Sequence, residues 1–170
     1  MDRVKLYVPT ERELDYRRRL IADEETMSYN AGYGENGAGC YYQSREQALA
    51  WYRNWNNAPG NFYAYIVLTE DNRPIGEASV HWSEPDQKYM VGLVLESSYR
   101  GKGYGSEALA LLAQKAFDQW KLDSLYDAFP AGREAAERTF RKAGFERVDQ
   151  SLMRLTRDRY EQKRKNRGDG

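Results

Sequence analysis

The stretch Y-R-G-K-G-Y-G, residues 99–105, joins a β-like apolar run, V-G-L-V-L at 91–95, to a long run of helical periodicity. Glycine inside regular structure costs conformational entropy, so three alternating glycines at this junction need a physical reason. A strand, a glycine turn and a helix start together form an anion site. The first N–H groups of a helix lack acceptors within it, and the macrodipole favours negative charge there. Arg100 and Lys102 add positive charge. The bland alternative is a tight turn with no ligand. Two phosphate motifs are excluded: no P-loop G-x-x-x-x-G-K-[ST] occurs, and a dinucleotide fingerprint read from Gly101 fails at Ser106.

The flanking patterns predict a mixed α/β domain in the order β-α-α-β-β-β-α-β-α-β. Residues 3–8 read as a strand ended by Pro9, and Thr10 with Glu13 forms the capping-box pattern of a first helix carrying Leu14, Arg17, Arg18 and Ile21. Residues 27–42 hold glycines at 32, 34, 37 and 39 among four tyrosines and read as a loop. Ser44 starts a second helix with a stripe of Ala48, Trp51, Tyr52 and Trp55. Runs at 62–68, 75–82 and 88–96, separated by short turns, predict an antiparallel meander. After the glycine segment, Ala108, Leu109, Leu112, Ala113, Ala116, Phe117 and Trp120 share one helix face. A strand at 124–129, a helix from about 133 to 142 closed by Gly144, and a single strand at 146–156 complete the domain, 1–156. The tail, 157–170, carries six Lys or Arg against three Asp or Glu and is expected to be solvated, frayed or partly helical.

Composition narrows the chemistry. The 26 basic and 26 acidic residues balance, which argues against a surface built for nucleic acid. No apolar run reaches membrane-spanning length, so no membrane partner is expected. One cysteine, Cys40, permits no intrachain disulfide, and with the N-terminal sequence it fits a cytoplasmic location. A single histidine, His81, with that cysteine cannot make the usual His/Cys zinc site, and no metal is expected.

The segment R-G-K-G-Y-G resembles the [QR]-x-x-G-x-[GA] signature of the GNAT superfamily of acetyl-CoA-dependent N-acetyltransferases, filled here by Arg100, Gly103 and Gly105. Downstream, Ala136, Phe140 and the Gly144-Phe145 pair resemble that family's next helix and its G-F ending. The two motifs span about residues 90–148, and residues 1–89 match in element order. The resemblance implies a central, mostly antiparallel sheet with a splay beside the strand before the loop. It also implies acetyl-CoA as cosubstrate, no metal, and an amine-bearing small molecule or peptide as acceptor. Dimers are frequent in the family, so a homodimer is an expectation.

The same resemblance implies roles for residues. Arg100, Gly101, Lys102, Gly103, Tyr104, Gly105 and Ser106 would bind the CoA pyrophosphate. Val94 and Leu95 would bond the pantetheine arm, with the Leu95 N–H polarising the thioester carbonyl. Glu77, mid-strand, and Glu96, at the strand end, are the candidate bases, and burial would raise either toward a useful pKa. His81 is the weaker alternative. Two positions depart from the family: Phe140 replaces a Tyr able to protonate the leaving thiolate, and Arg133 replaces an Asn. These two departures support an alternative reading, a CoA-binding sensor or interaction module impaired in catalysis. The acceptor site is expected at Tyr29, Asn30, Tyr33, Trp82 and Asp127, with Asp127 holding an ammonium group.

Overall fold

The computed structural model describes residues 2–34 and 37–168. Parts of the tyrosine-rich loop (35 and 36) and of the tail (169 and 170) lie outside the described residues. The strands are β1 (Val4–Tyr7), β2 (Phe62–Leu68), β3 (Pro74–Ser83), β4 (Lys88–Leu95), β5 (Ser124–Asp127), β6 (Glu146–Asp149) and β7 (Leu152–Thr156). They form one sheet in the order β1-β2-β3-β4-β5-β7-β6. All neighbours are antiparallel except β4 and β5.

Helices cover both faces. The helices α1 (Asp15–Ala22) and α2 (Arg45–Asn57) lie on one side, where Leu14, Ala48 and Tyr52 pack on Tyr63, Tyr65 and Val67 of β2. Ser44 caps α2 as expected: its Oγ accepts the Gln47 N–H at 3.1 Å, and the Gln47 side chain accepts the Ser44 N–H at 2.8 Å. On the other side α3 (Tyr104–Gln114), the turn that continues it and α4 (Glu134–Lys142) bury Leu109, Leu112, Phe117 and Phe140 against Ile66, Ile75, Val80 and Leu125. The face read from the sequence is the buried one, although its last turn, Lys115–Gln119, is π-helical.

At the C-terminal end one expectation is corrected and another is made specific. The single strand at 146–156 is a hairpin, β6 and β7, turned at Gln150 and Ser151. Asp149 Oδ1 accepts the Ser151 N–H at 2.8 Å, so a carboxylate shapes this turn without Gly or Pro. The tail forms α5 (Arg157–Asn166), docked on the domain. Tyr160 stacks on Phe117 with ring centroids 4.9 Å apart, Arg164 pairs with Asp118 at 2.9 Å, and Arg159 Nε donates to the Gly144 carbonyl at 2.9 Å. One aromatic anchor and two arginine contacts thus hold a helix that is otherwise polar. Among the described residues no helix is long and apolar enough to cross a membrane.

Candidate active site

The expected splay is present. β4 and β5 run parallel and pair only at Met90↔Tyr126. Beyond Met90 the strands separate, so the second half of β4 has a partner on one side only. Register decides which backbone groups this leaves free. The Glu96 N–H donates to the Ile75 carbonyl at 2.8 Å, which makes 75 and 96 a bonded pair. Antiparallel pairs alternate, so Val94 exchanges bonds with Glu77, while Leu93 and Leu95, opposite Ala78 and Gly76, turn their N–H and C=O groups into the gap. Leu95 therefore faces the gap as expected. Val94 does not: its backbone is committed to β3, and Leu93 takes the position assigned to it.

The gap leads to the glycine loop. Gly103 is the residue before α3, with φ 88°, and Gly101 has φ 75°. Both conformations suit glycine. The N–H groups of Tyr104, Gly105 and Ser106 open the helix without acceptors inside it. A Cβ on Gly101 would meet nothing within 4 Å, so the turn is open on that side. Gly105 has a different reason: a Cβ there would lie 3.0 Å from Thr139 Cγ2 and 3.4 Å from Leu93 Cδ2, so glycine permits the close approach of α3, α4 and β4. Ser106 Oγ donates to the Thr139 carbonyl at 3.0 Å and ties α3 to α4. The Arg100 guanidinium is a strut: it donates to the Thr26 carbonyl and stands 5.9 Å from the Tyr29 ring. Lys102 stays exposed near the Tyr99 ring, and Arg3 donates to its carbonyl at 2.9 Å.

On the α1/α2 face, Glu77 points into a cavity of about 520 Å³ whose wall includes Arg17, Tyr29, Asn30, Trp51 and Val94. Arg17 Nε lies 3.3 Å from the Glu77 carboxylate, with the two side chains 11% and 13% exposed. The guanidinium stacks on Trp51, 3.6 Å from the ring centroid, and its Nη1 donates to Gln43 at 2.9 Å. The Tyr63 hydroxyl donates to the same Glu77 carboxylate. Burial pushes the Glu77 carboxyl up, against the opposing pull of Arg17 and Tyr63. The result is a buried, oriented acid whose proton affinity exceeds that of an ordinary glutamate.

The other expected residues divide. Glu96, partly buried at the end of β4, accepts the Tyr16 hydroxyl at 2.7 Å and does not line the cavity. Asn30 lines the cavity and holds the loop by donating to the Gly39 carbonyl at 3.2 Å. Asp127 ends β5 across the gap, where burial lifts its carboxyl from 3.8 to about 6 despite the Ala128 N–H and nearby Arg133. Arg133 precedes α4 and stands 5.2 Å from the Tyr29 ring, so Arg100 and Arg133 flank this tyrosine.

Three residues lie elsewhere. Trp82 sits at the hairpin end of β3, on the face opposite Glu77, against Tyr89 at 4.9 Å. Tyr33 is 70% exposed and does not line the cavity. Phe140 is 4% exposed and packs on Phe129 and Phe145 at 5.3 and 5.0 Å, in the apolar core. His81 packs on Trp55, and burial holds it below its ordinary pKa. Sequence reading missed Arg17, Trp51 and Tyr63 as site residues. Its available signal was Arg17, a charge set between Leu14 and Ile21 on the inward stripe of α1.

Residues 3–146 match the family model described as an acetyltransferase (GNAT) domain. No curated protein matches the chain by sequence. Solved structures share its fold at low identity. The aminoglycoside acetyltransferase AAC(6')-Ib with coenzyme A and kanamycin is 18% identical, with a TM-score of 0.73 over 95% of this chain and 99% of that one. The spermidine N-acetyltransferase from Vibrio cholerae with CoA and spermine is 13% identical, with a TM-score of 0.75 over 94% and 99%. FdhC, a nucleotide-linked sugar GNAT, is 15% identical, with a TM-score of 0.76 over 98% and 94%.

Proposed function

The chain belongs to the GNAT acetyltransferase family, and from that premise we propose that it transfers the acetyl group of acetyl-CoA to a primary amine seated beside Glu77. The observation that carries this reading is a shared wall. Val94 lines the cavity that holds Glu77, and the next residue, Leu95, turns its N–H into the gap between β4 and β5. A base and a hydrogen-bond donor thus stand on either side of one strand end.

The residues fit the cosubstrate. The open backbone at Gly101 and the left-handed Gly103 before the start of α3 suit the pyrophosphate. The unpaired edge of β4, through Leu93 and Leu95, suits the amides of the pantetheine arm. Acetyl-CoA supplies an activated acyl group, and the chain supplies position and proton transfer. An amine arrives as ammonium and must lose a proton before its lone pair can attack. The Glu77 carboxylate accepts that proton, directly or through a water. Arg17 and Tyr63 favour its ionised form, and burial raises its proton affinity above that of an ordinary glutamate, as a general base requires. The Leu95 N–H donates to the carbonyl oxygen as negative charge develops there. A thiolate is a good enough leaving group to depart without an acid at Phe140.

The cavity supports a monoamine acceptor. Its charged lining groups are Arg17 and Glu77, which neutralise each other, and the rest of its wall is aromatic, amide or aliphatic. A polycation would find little to balance its remaining charges. An amine on an uncharged, hydroxylated or aromatic body suits the tyrosines and Trp51.

Thiol release from acetyl-CoA across a panel of amines tests the reading, with acetyl-CoA binding followed by calorimetry. Monoamines are expected to react faster than polyamines. Glu77→Gln should keep acetyl-CoA affinity and lose about 10²- to 10⁴-fold in turnover, together with the acidic limb of the pH profile. Absence of acetyl-CoA binding would refute the proposal. Binding with no turnover on any amine would favour the impaired module, and the buried Phe140 is the observation that keeps that second reading in play.

A further inference from the structure

Among the described residues two Ser or Thr side chains are buried, Ser106 and Thr26. Ser106 ties α3 to α4. Thr26 is 1% exposed and opens the short 3₁₀ turn Thr26–Asn30, which carries Tyr29 and Asn30 to the wall of the Glu77 cavity. A buried polar group is costly unless it is bonded, and every polar group of Thr26 has a partner. Its N–H donates to Asp23 Oδ2 at 3.0 Å. Its Oγ1 accepts the Ser97 N–H at 3.2 Å, and its carbonyl accepts the Arg100 guanidinium.

Ser97 and Arg100 both belong to the other half of the site. Ser97 lies two residues beyond Leu95, which turns its N–H into the gap, and Arg100 begins the glycine loop. Glu96, between Leu95 and Ser97, accepts the Tyr16 hydroxyl of α1 at 2.7 Å. The next residue of α1, Arg17, meets Glu77. A polar seam of three contacts thus joins the acceptor side to the segment 96–100. Its two sides are unequally fixed. The glycine loop is held without Thr26: Arg3 pairs with Glu107 and donates to the Lys102 carbonyl at 2.9 Å, and Ser106 reaches the Thr139 carbonyl at 3.0 Å. The turn 26–30 instead runs into a loop with positive-φ glycines at 32, 34, 37 and 39. Glycine-rich backbone resists displacement weakly, so the acceptor wall is the side that moves when the seam is cut.

We propose that Thr26 is a positioning residue, whose hydroxyl holds the acceptor wall of Tyr29 and Asn30 in register with the end of β4. The inference rests on the reading that acetyl-CoA lies along β4 and an amine lies beside Glu77. Thr26 touches neither molecule. It acts through Tyr29 and Asn30, which line the cavity, and through Ser97, which follows the strand end. Without the hydroxyl the Ser97 N–H has no acceptor, and the turn 26–30 loses its bond to the strand that carries Leu95.

Two substitutions in the full chain separate the hydroxyl from the packing. Thr26→Val keeps the branched shape and removes the acceptor; Thr26→Ser keeps the acceptor and removes a methyl. Hydrogen exchange of the free protein, read by mass spectrometry, should quicken about 5-fold or more at residues 27–31 in Thr26→Val. It should stay at the wild-type rate there in Thr26→Ser, and at residues 101–106 in both. With the fastest monoamine of the thiol-release panel, Thr26→Val should raise the amine KM about 5- to 50-fold, the effect of one donor left unbonded. Its acetyl-CoA affinity by calorimetry should match wild type, which also shows that it is folded, and Thr26→Ser should restore the KM. A Ser variant damaged as much as the Val variant would assign Thr26 to packing and overturn the proposal. Unchanged exchange at 27–31, an unchanged amine KM, or an equal loss of acetyl-CoA affinity in Thr26→Val would overturn it too, while leaving the acetyl-transfer reading standing. If wild type binds no acetyl-CoA, or binds it and acetylates no amine, that reading falls and this inference falls with it.

Discussion

Replacing Asp127 with Asn is expected to make the protein more stable at neutral pH. Burial at the end of β5 lifts this carboxyl from 3.8 to about 6. Each tenfold change in proton affinity is worth about 1.36 kcal/mol, so the folded chain disfavours the carboxylate by ~3 kcal/mol relative to the unfolded chain. The sign follows from proton binding. Between pH 4 and 6 the folded state holds a proton that the unfolded state has released, so stability falls as pH rises. The contribution is complete below about pH 4 and is lost once pH passes about 6. Asn is isosteric and uncharged, and its Oδ1 can keep accepting the Ala128 N–H, a bond of 2.9 Å in the native chain. The variant should therefore gain about 1–3 kcal/mol at pH 7.5 and almost nothing at pH 4. For a chain of this size each kcal/mol raises Tm by roughly 2–4 °C. Urea unfolding of both proteins at pH 4, 5, 6 and 7.5 measures the difference directly. A constant difference across that range, or a variant less stable at pH 7.5, would refute the reasoning. The functional half is read from the KM of a reactive amine, which should rise if Asp127 helps to hold the ammonium. An unchanged KM would remove it from the acceptor site.

Other substitutions probe the sheet and the core. Gly76→Ala places a Cβ 2.2 Å from the Val94 carbonyl, a backbone atom that cannot swing aside. The pairing of β3 with β4 must shift, and a loss of about 2 kcal/mol or more in urea unfolding is expected, with Leu95 displaced and turnover reduced. Phe140→Tyr restores the hydroxyl common in the family, but into a stack of Phe129 and Phe145. We expect a loss of about 1–3 kcal/mol in stability, from burying an unsatisfied hydroxyl, and no gain in turnover; a faster enzyme would show that the side chain reaches the gap.

Much of the fold was legible because its signals are local. The Ser44 cap, the strand-forming run at 62–68 and the face of α3 each depend on residues within a few positions of one another, and each appears as read. The hairpin at 149–152 was not, because Asp149 and Ser151 make the turn without Gly or Pro. The docking of helix α5 was not, because its hold on the domain comes from Tyr160, Arg159 and Arg164 meeting residues far away in sequence. Trp82 shows a signal left unused. Five positions separate it from Glu77 on one strand, and an odd separation puts the two side chains on opposite faces.

The site divides in the same way. The junction of strand, glycine turn and helix start is a contiguous motif, so its open backbone and its spacing from Gly144 could be read along the chain. The setting of Glu77 could not. Arg17 from α1, stacked on Trp51 of α2, and Tyr63 from β2 reach this carboxylate only after the sheet and its two helices have packed. Nor could the parity of β4 be read, for it is the register with β3 that commits Val94 and frees Leu93 and Leu95. Backbone conformation and capping act over a few residues, whereas burial, ion pairing and strand register depend on which distant segments meet. The sequence therefore carries the glycine turn at the start of α3, and the packed chain decides which carboxylate points into the cavity.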